Sequence, residues 1–533
     1  MSPEVLISEL VDRVRDQARS HESEEIRRAL AAELRRVARA YARDPAAWSA
    51  WADGIDVPGD AYEALVSGAD RRAGGQFQTP TWAADLMASW LLQEPCDLLL
   101  DPGVGAGRLL FRAAGRPEPA PRRMLGLDVD GVSLEMARVN LLLRGIDNCA
   151  LRRCNFLLRN LRERPDAVTC NPPYSRHHSI PATEKAAIHA GFEERLGLRL
   201  SRLAGLHVLF LVRALEVIRE AGRLAFITPA EWLDVNYGWA IKRFVLERAH
   251  VEAIVLWEHD HLYFDGALTT AAITLLRAGA GTGPTRVVRL PRRPPAVEEV
   301  VAAIEGQRTR LRVADVDLAP GAKWSHPVRR RVPRGKPLRD IARVRRGIAT
   351  GCNRFFVVSE AARREHGIER SHVRPCITTP RLVPGDELTR ADLERLSDDL
   401  PRWVLNCHDR DAERRNDALG RYLRWGKDAH DAHAGYLASR RQPWYALERR
   451  EASPVLFTYM NRQRPRFIRN RAAAVPLNTF LIVEPHDGID ADQLWRALKA
   501  EHLMRQLIRA KRNYGGGLWK IEPRELGDLR VRL

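Results

Sequence analysis

The chain has 533 residues, in which 86 Lys and Arg residues exceed 68 Asp and Glu residues to give a formal net charge of +18. That length favours two or three domains, and the positive charge suits a polyanionic partner, although an arginine-rich proteome would produce the same excess. The seven cysteines form no C-x-x-C pair, no apolar run is long enough for a membrane span, and the first residues lack signal-peptide features. We therefore expect a cytoplasmic protein with an anionic partner, no membrane segment and no metal site.

Residues 1–75 are predicted to be a helical segment that precedes the main domain. Ser2-Pro3-Glu4 is a helix start signal, with Pro at the first helical position and an acid in the first turn. Apolar residues then recur at helical spacing, at Ile26, Leu30, Leu34, Val37 and Tyr41. We expect this face to pack in the core or against the next domain, and we assign it no chemistry.

Residues 76–290 alternate between strand-like and helical stretches. The alternation predicts an α/β domain with a mostly parallel sheet and helices on both faces. Ligands bind such sheets beyond the carboxyl ends of the strands. The predicted strands are Leu98–Asp101, Met124–Asp128, Val168–Cys170, Leu224–Ile227, Ala253–Leu256 and Ala271–Leu276.

The remaining sequence divides into two parts. Residues 291–335 are rich in Pro and Arg and are predicted to be a connecting segment around one helix, Val297 to Arg310. Residues 336–533 contain short strand-like runs and are dense in Arg and aromatic residues. We interpret them as a second, separately folded domain.

A glycine-rich turn follows the first strand, in Asp101-Pro-Gly-Val-Gly-Ala-Gly107. Gly103, Gly105 and Gly107 let the backbone approach a ligand, but position 108 is Arg, so the dinucleotide pattern G-x-G-x-x-G is missing. Such a turn alone is ordinary turn chemistry. Asp128 ends the next strand about twenty residues later, where a carboxylate can accept from both ribose hydroxyls. An adenosine ligand without the pyrophosphate signature is expected, and S-adenosylmethionine fits.

These residues resemble the gamma-type N6-adenine DNA methyltransferases, which have a Rossmann-like domain that binds S-adenosylmethionine and an α+β target-recognition domain after it. Gly75-Gln-Phe-Gln-Thr-Pro80 is similar to the family's leading cofactor motif. The resemblance assigns Thr79 and Pro80 to the methionine end of the cofactor and Asp101 to its ammonium group. It assigns Asp128 to the ribose and Val129 to the adenine ring. Asn155-Phe156 stands where the family has Asp-Phe; an Asn oxygen can still accept from the adenine amine.

The tetrapeptide Asn171-Pro172-Pro173-Tyr174 follows a later strand and carries the catalytic prediction. An adenine amine is a poor nucleophile because its lone pair is conjugated into the ring. The Asn171 side chain and the Pro172 carbonyl can accept its hydrogens and draw the nitrogen toward tetrahedral geometry, while the prolines hold the loop. The Tyr174 ring can stack on a base taken out of the duplex. Asn171 is also expected to contact the cofactor.

The resemblance implies further parts of the DNA site. It places a second aromatic clamp on the flipped base at Phe264, with Tyr263 as the rival. In the tail, Arg440 to Arg471 combines many arginines with aromatics, and Arg can bind phosphates or guanine edges. Three tail segments are similar to the family's target-recognition domains: Arg346–Phe356, Thr379–Val383 and Tyr514–Leu526. Double-stranded DNA is therefore the expected partner.

Other functions remain open at this point. A protein-glutamine methyltransferase also uses an Asn-Pro-Pro-Tyr loop, on a carboxamide nitrogen, but does not require a basic tail. An RNA adenine methyltransferase and a DNA-binding protein with a degenerate fold are further alternatives. Residues 1–75 show no nuclease pattern, so we expect any restriction or phage-defence partner to be a separate protein.

Overall fold

The computed structural model describes residues 3–18, 23–43, 56–66, 78–116, 119–174, 181–201, 204–234, 238–257, 271–279, 281, 283–325, 334–461, 465–510, 512–514 and 518–533. The chain divides into two compact units: unit 1 comprises residues 1–329 with 514–516, and unit 2 comprises 330–513 with 517–533. Among the helices in these ranges, none is long and apolar enough to cross a membrane.

Unit 1 is built on a nine-stranded sheet. Its strands are β1 (Leu98–Asp101), β2 (Arg123–Asp128), β3 (Cys149–Arg153), β4 (Ala167–Cys170), β5 (Arg223–Pro229), β6 (Ala249–Trp257), β7 (Ala271–Ala278), β8 (Thr285–Leu290) and β9 (Arg312–Val316). Their order is β3-β2-β1-β4-β5-β7-β6-β8-β9. Strands β1 to β5 pair in parallel, whereas β7 runs antiparallel to both β5 and β6. The strand order reverses between β1 and β4, and such a reversal is where a ligand crevice opens.

Helices cover both faces of this sheet. The α-helices in the described part of unit 1 are α1 (Pro3–Gln17), α2 (Ser23–Arg43), α3 (Val57–Leu65), α4 (Thr81–Leu91), α5 (Arg108–Ala114), α6 (Gly131–Leu143), α7 (Ala182–Leu196), α8 (Leu206–Val217), α9 (Trp239–Arg248) and α10 (Val297–Ile304). Helices α4, α5 and α10 bury apolar side chains against one face, and α7, α8 and α9 against the other. The predicted α/β class is confirmed. Successive side chains of a strand point to opposite faces of the sheet, so each strand contributes to the apolar cores on both faces.

The first three helices pack on this domain through one apolar cluster. Ile26, Leu30, Leu34 and Val37 of α2 are buried, as the helical spacing predicts. They join residues of α1 and α3 and the outer face of α6, including Met136. Helices α1, α2 and α3 therefore share one apolar core with α6.

Three strands of unit 1, β3, β8 and β9, were not predicted from the sequence. Strand β3 has only exposed or half-buried residues, so it gives no apolar run, and the short strand β8 has its apolar run interrupted by two arginines. The segment 291–335 is more than a connection, because its strand β9 pairs antiparallel with β8. Strand β9 is largely exposed at the sheet edge, which explains the weak signal. The helix before it ends at Ile304 rather than Arg310, since Gly306 has a φ of +84°.

Unit 2 has an α+β fold with two main sheets. The five-stranded sheet contains, in spatial order, residues 342–346, 480–485, 455–458, 467–470 and 387–388. The four-stranded sheet contains residues 357–359, 401–405, 373–377 and 475–476. Short antiparallel pairs join 336–337 with 530–531 and 460–461 with 518–520, and a further short strand spans residues 512–514. The α-helices span 353–356, 360–365, 390–394, 418–430, 491–498, 501–510 and 523–527.

Candidate active site

A cleft of about 190 Å³ lies beyond the carboxyl ends of β1, β2 and β4. Its lining combines the glycine-rich turn after β1, the residues after β2 and the loop after β4. Of the residues predicted for the site, the cleft brings together Thr79, Asp101, Gly103, Gly105, Asp128, Val129, Asn155, Phe156, Asn171 and Pro173. These side chains come from separate segments of the chain, and the reversal of strand order between β1 and β4 places the segments side by side.

The glycine-rich turn lines the cleft with backbone. Gly105 has a φ of +52° and Gly107 a φ of +84°, conformations that favour glycine. A Cβ at Gly107 would lie 3.2 Å from Ala137 of α6, so this glycine serves the packing of α5 on α6 rather than the cleft. The Val104 amide donates to the Leu127 carbonyl at 2.9 Å, which ties the turn to β2.

Asp101 is fully buried at the end of β1. Its Oδ1 accepts from the Gly103 amide at 3.2 Å, while no described group donates to its Oδ2. Burial raises the pKa of Asp101 to about 8, the Gly103 amide opposes this shift, and Asp128 adds to it. A buried carboxylate oxygen without a donor is costly, and a cationic ligand group such as an ammonium would satisfy it.

Asp128 holds the opposite side of the turn. Its Oδ2 accepts from the Gly105 amide at 3.0 Å and its Oδ1 from the Asp130 amide at 2.9 Å. Burial raises the pKa of Asp128 to about 6, although these amides oppose the shift. Val129 follows with 58% of its surface exposed into the cleft region. Its apolar side chain is thus accessible from the cleft.

Asn155 lines the cleft with its amide orientation fixed by two neighbours. Its Oδ1 accepts from the Leu157 amide at 2.9 Å, and its Nδ2 donates to Glu184 of α7 at 2.6 Å. The oxygen therefore already closes the turn after β3, and a ligand amine would have to share it. Phe156 is buried and packs against Phe210 of α8, with ring centroids 5.5 Å apart.

Asn171 is joined to Thr79 across the cleft. The Asn171 Nδ2 donates to the Thr79 Oγ1 at 3.0 Å. This contact distinguishes the two ends of the amide and turns Oδ1 to the opposite side. Pro172 is buried and Pro173 lines the cleft. Pro80, by contrast, precedes helix α4 and is not part of the lining.

Tyr174 stands beside this cleft rather than in its described lining. Its hydroxyl donates to the Ile227 carbonyl of β5 at 3.3 Å, and burial raises its pKa well above the ordinary value. The hydroxyl is therefore neutral and fixes the ring against the sheet. Phe264, its rival Tyr263 and residues 75–77 of the leading motif lie outside the described residues.

The cleft also contains residues that the sequence analysis did not assign. Tyr62 and Glu63 come from α3, and Arg108 opens α5. No sequence motif predicts that helix α3 contributes to the site. It reaches the cleft because it packs on α6 in the tertiary structure. With Glu63, Asp101, Asp128 and Asp130 the lining is rich in acids, although the chain as a whole is strongly basic. An acidic lining suits a cationic ligand.

Many arginines of the tail bind within unit 2. Arg441 donates to the carbonyls of Ala349 and Thr350, and Arg466 donates to three carbonyls between Pro380 and Gly385. Arg469 and Arg471 both pair with Asp492. Arg440 differs, because it lies 4.2 Å from the ring centre of Tyr436, whose surface is 69% exposed. The arginines of residues 440–471 thus include some that bind groups of unit 2 itself and at least one, Arg440, that is exposed.

Comparison with known proteins identifies the family. Residues 53–285 match the N-6 DNA Methylase family, and residues 329–533 match the C-terminal domain of the type II methyltransferase M.Eco57I. The type II methyltransferase M.XamI of Xanthomonas campestris pv. amaranthicola is 30% identical over 475 residues, which cover 86% of this chain and 85% of that protein. M.AccI of Acinetobacter calcoaceticus is 26% identical over 478 residues, covering 87% and 86% of the two chains.

A solved structure shares the fold. The type IIL restriction-modification enzyme MmeI in complex with DNA aligns with a TM-score of 0.53 and 11% identity, over 90% of this chain and 69% of that one. The resemblance inferred from the motifs is confirmed by the family match and by M.XamI: the chain belongs to the type II N6-adenine DNA methyltransferases.

Proposed function

We propose that this enzyme transfers the methyl group of S-adenosylmethionine to the N6 amine of an adenine rotated out of double-stranded DNA into the cleft. The observation that carries the proposal is the position of Asn171. Its amide is held by Thr79 in the same cleft as the acidic residues Asp101 and Asp128. An amide acceptor beside a site for a cationic adenosine ligand is what amine methylation requires.

The cleft lining contains side chains whose chemistry suits the ammonium, the ribose and the adenine of the cofactor. The Asp101 Oδ2 would accept from the methionine ammonium, and Asp128 would accept from the ribose hydroxyls. Val129 would lie against the adenine ring, and Gly103 and Gly105 leave room for the ligand because they have no side chains. S-adenosylmethionine, when bound, supplies an electrophilic methyl group on a sulfonium.

The loop after β4 would act on the adenine amine. The Asn171 Oδ1 and the Pro172 carbonyl accept its two hydrogens from outside the ring plane, which frees the nitrogen lone pair for attack. The nitrogen would gain the methyl group as the methyl carbon–sulfur bond breaks, leaving S-adenosylhomocysteine, and the surplus proton would pass to water without a dedicated base. Holding the reacting atoms in line lowers the activation free energy by on the order of several kcal/mol.

The remaining parts of the chain would find and hold the base. The Tyr174 ring would stack on the flipped adenine. Phe264 would be the second clamp. Residues 336–533 would read the target sequence, while residues 76–290 carry out the transfer.

One assay tests this function. The purified protein is incubated with methyl-labelled cofactor and, separately, with plasmid DNA, total RNA and a protein extract. We expect label in DNA, on N6 of adenine, and sequencing of methylated bases would give the recognition site. Label in RNA or on glutamine instead of DNA would refute the proposal.

The partner proteins are a further part of the proposal. We expect methylation by the chain alone, with any cleavage supplied by a separate restriction or defence protein. The test is to incubate unmethylated plasmid with the purified chain and divalent cation. Cleavage of the plasmid would contradict this assignment.

A further inference from the structure

Asp56 and Arg108 form a buried ion pair at the edge of the cleft. The Asp56 side chain is 1% exposed and that of Arg108 13%, and Nη2 lies 3.0 Å from the Asp56 Oδ2. Asp60 lies 3.1 Å from the same nitrogen. Burial alone would lower the pKa of Arg108, but the two carboxylates raise it above its ordinary value, so the guanidinium stays charged. The pair joins α3, which packs on α6, to the first turn of α5.

The two residues of this pair help to fix two backbone carbonyls in the cleft lining, Arg108 directly and Asp56 through Asn140. The Arg108 Nη1 donates to the Thr79 carbonyl at 2.9 Å. The Asp56 Oδ1 accepts from the Asn140 Nδ2 at 2.7 Å, and the same nitrogen donates to the Ala106 carbonyl at 2.9 Å. Thr79 and the glycine-rich turn are thus both fixed by contacts that start at Asp56.

Thr79 carries this restraint to the catalytic loop. Its carbonyl is held by Arg108 and its hydroxyl accepts from the Asn171 amide at 3.0 Å. A shift of Thr79 would therefore reorient the Asn171 amide, whose oxygen is the proposed acceptor of the adenine amine. Displacements of about 1 Å at such groups cost roughly 100-fold in rate.

We propose that Arg108 is a positioning residue for methyl transfer, anchored by Asp56 and acting through Thr79 on Asn171. The proposal rests on the catalytic role of Asn171 given above. Arg108 lines the cleft, yet all three of its side-chain nitrogens already bind Asp56, Asp60 or Thr79. Its contribution is therefore orientation of the loop rather than a contact with the cofactor.

The first measurement is the effect of Arg108→Gln on turnover and on cofactor binding. We expect kcat at saturating cofactor and DNA to fall roughly 10- to 100-fold. The Kd for S-adenosylhomocysteine, measured by calorimetry, should change by less than about threefold, since the side-chain nitrogens of Arg108 are engaged by Asp56, Asp60 and the Thr79 carbonyl. Arg112→Gln is the matched control: Arg112 lies one turn later on α5 and pairs with Asp85 at 2.5 Å. It should leave kcat unchanged.

The second measurement is the coupling between Arg108 and Thr79. Thr79→Val removes the acceptor of the Asn171 amide while keeping the shape of the side chain. If Arg108 acts through Thr79, the double variant should have the kcat of the slower single variant. A double variant whose loss is the product of the two single losses would overturn the proposal, as would a weaker cofactor Kd with unchanged kcat in Arg108→Gln.

Arg108→Lys keeps the test valid if the neutral variant does not fold. Lysine retains the charge opposite Asp56, but its donor hydrogens all lie on one nitrogen, so it cannot reproduce the separate contacts that the guanidinium fork makes with Asp56, Asp60 and the Thr79 carbonyl. We expect a folded protein with reduced kcat, and wild-type kcat would overturn the proposal. An inactive wild-type enzyme would instead refute the proposed function itself, so the two failures are distinguishable.

Discussion

Replacing Asp101 with Asn should make the cofactor-free protein more stable at alkaline pH. Burial raises the pKa of Asp101 from 3.8 to about 8 in the folded protein. Between these values the folded state keeps a proton that the unfolded chain has released, so the free energy of unfolding falls as the pH rises. From roughly pH 6.5 to pH 8, with Asp101 half ionised at the upper end, this loss is about 1.7 kcal/mol. The Asp101→Asn variant has no ionisable group at this position and should not show the loss.

The chosen pH range separates Asp101 from its neighbours. The pKa of Asp128 is raised by burial to about 6, so its similar contribution falls mainly below this range. The pKa of His207 is lowered by burial to about 4, and its opposite contribution ends near its unfolded value of 6.5. Asp97→Asn is the control, because hydrogen bonds from Arg122 and Arg123 lower the pKa of Asp97. Asp97 is ionised in both states throughout the range.

Scanning calorimetry of the cofactor-free proteins at both pH values measures the effect. At roughly 2 °C per kcal/mol, the transition of unit 1 should drop about 3 °C further in the wild type and in Asp97→Asn than in Asp101→Asn. Asp101→Asn should also weaken S-adenosylmethionine binding roughly 10- to 100-fold, because a charge-assisted hydrogen bond is lost. An Asp101→Asn protein whose transition follows the wild type across the range would show that Asp101 is ionised when cofactor-free.

Four further predictions test the site and the tail. Asn171→Ala should reduce methyl incorporation by roughly 100-fold or more while calorimetric cofactor affinity stays within about threefold; retained activity would exclude this acceptor. Asp128→Ala should weaken cofactor binding roughly 10- to 100-fold in the same titration. Tyr174→Ala should lower kcat/KM for DNA roughly 10-fold, whereas Tyr174→Phe keeps the ring and should stay near wild type; equal losses would exclude stacking. Arg440→Gln should reduce the slope of log Kd for DNA against log salt by about 1, whereas Arg466→Gln should lower the melting temperature of unit 2; an unchanged slope would remove Arg440 from the DNA surface.

Much of unit 1 could be predicted because its strands are buried and its motifs are local. Leu98–Asp101 is apolar throughout and ends in an acid, and the structure has β1 at the same residues. The weak signals belong to exposed strands. Strand β9 lies at the sheet edge with both faces largely exposed. Its sequence therefore lacks the alternation of apolar and polar residues that would predict a strand.

The function of individual arginines was less predictable than their number. The density of Arg in residues 440–471 suggested a DNA surface, yet Arg466 holds three backbone carbonyls of its own unit. A guanidinium that binds carbonyls and one that binds phosphates have the same sequence signature. Only the position of its partners separates the two roles.

The sequence by itself determined the chemistry of the site. Asp101, the glycine-rich turn, Asp128 and Asn171-Pro172-Pro173-Tyr174 appear in an order that indicates amine methylation with an adenosine cofactor. Only the tertiary structure decided which groups hold these residues in place. Asp56 and Arg108 are far apart in the chain and match no motif, but the packing of α3 on α6 buries them together. A buried charge must find a partner, and that requirement is satisfied in space rather than along the sequence.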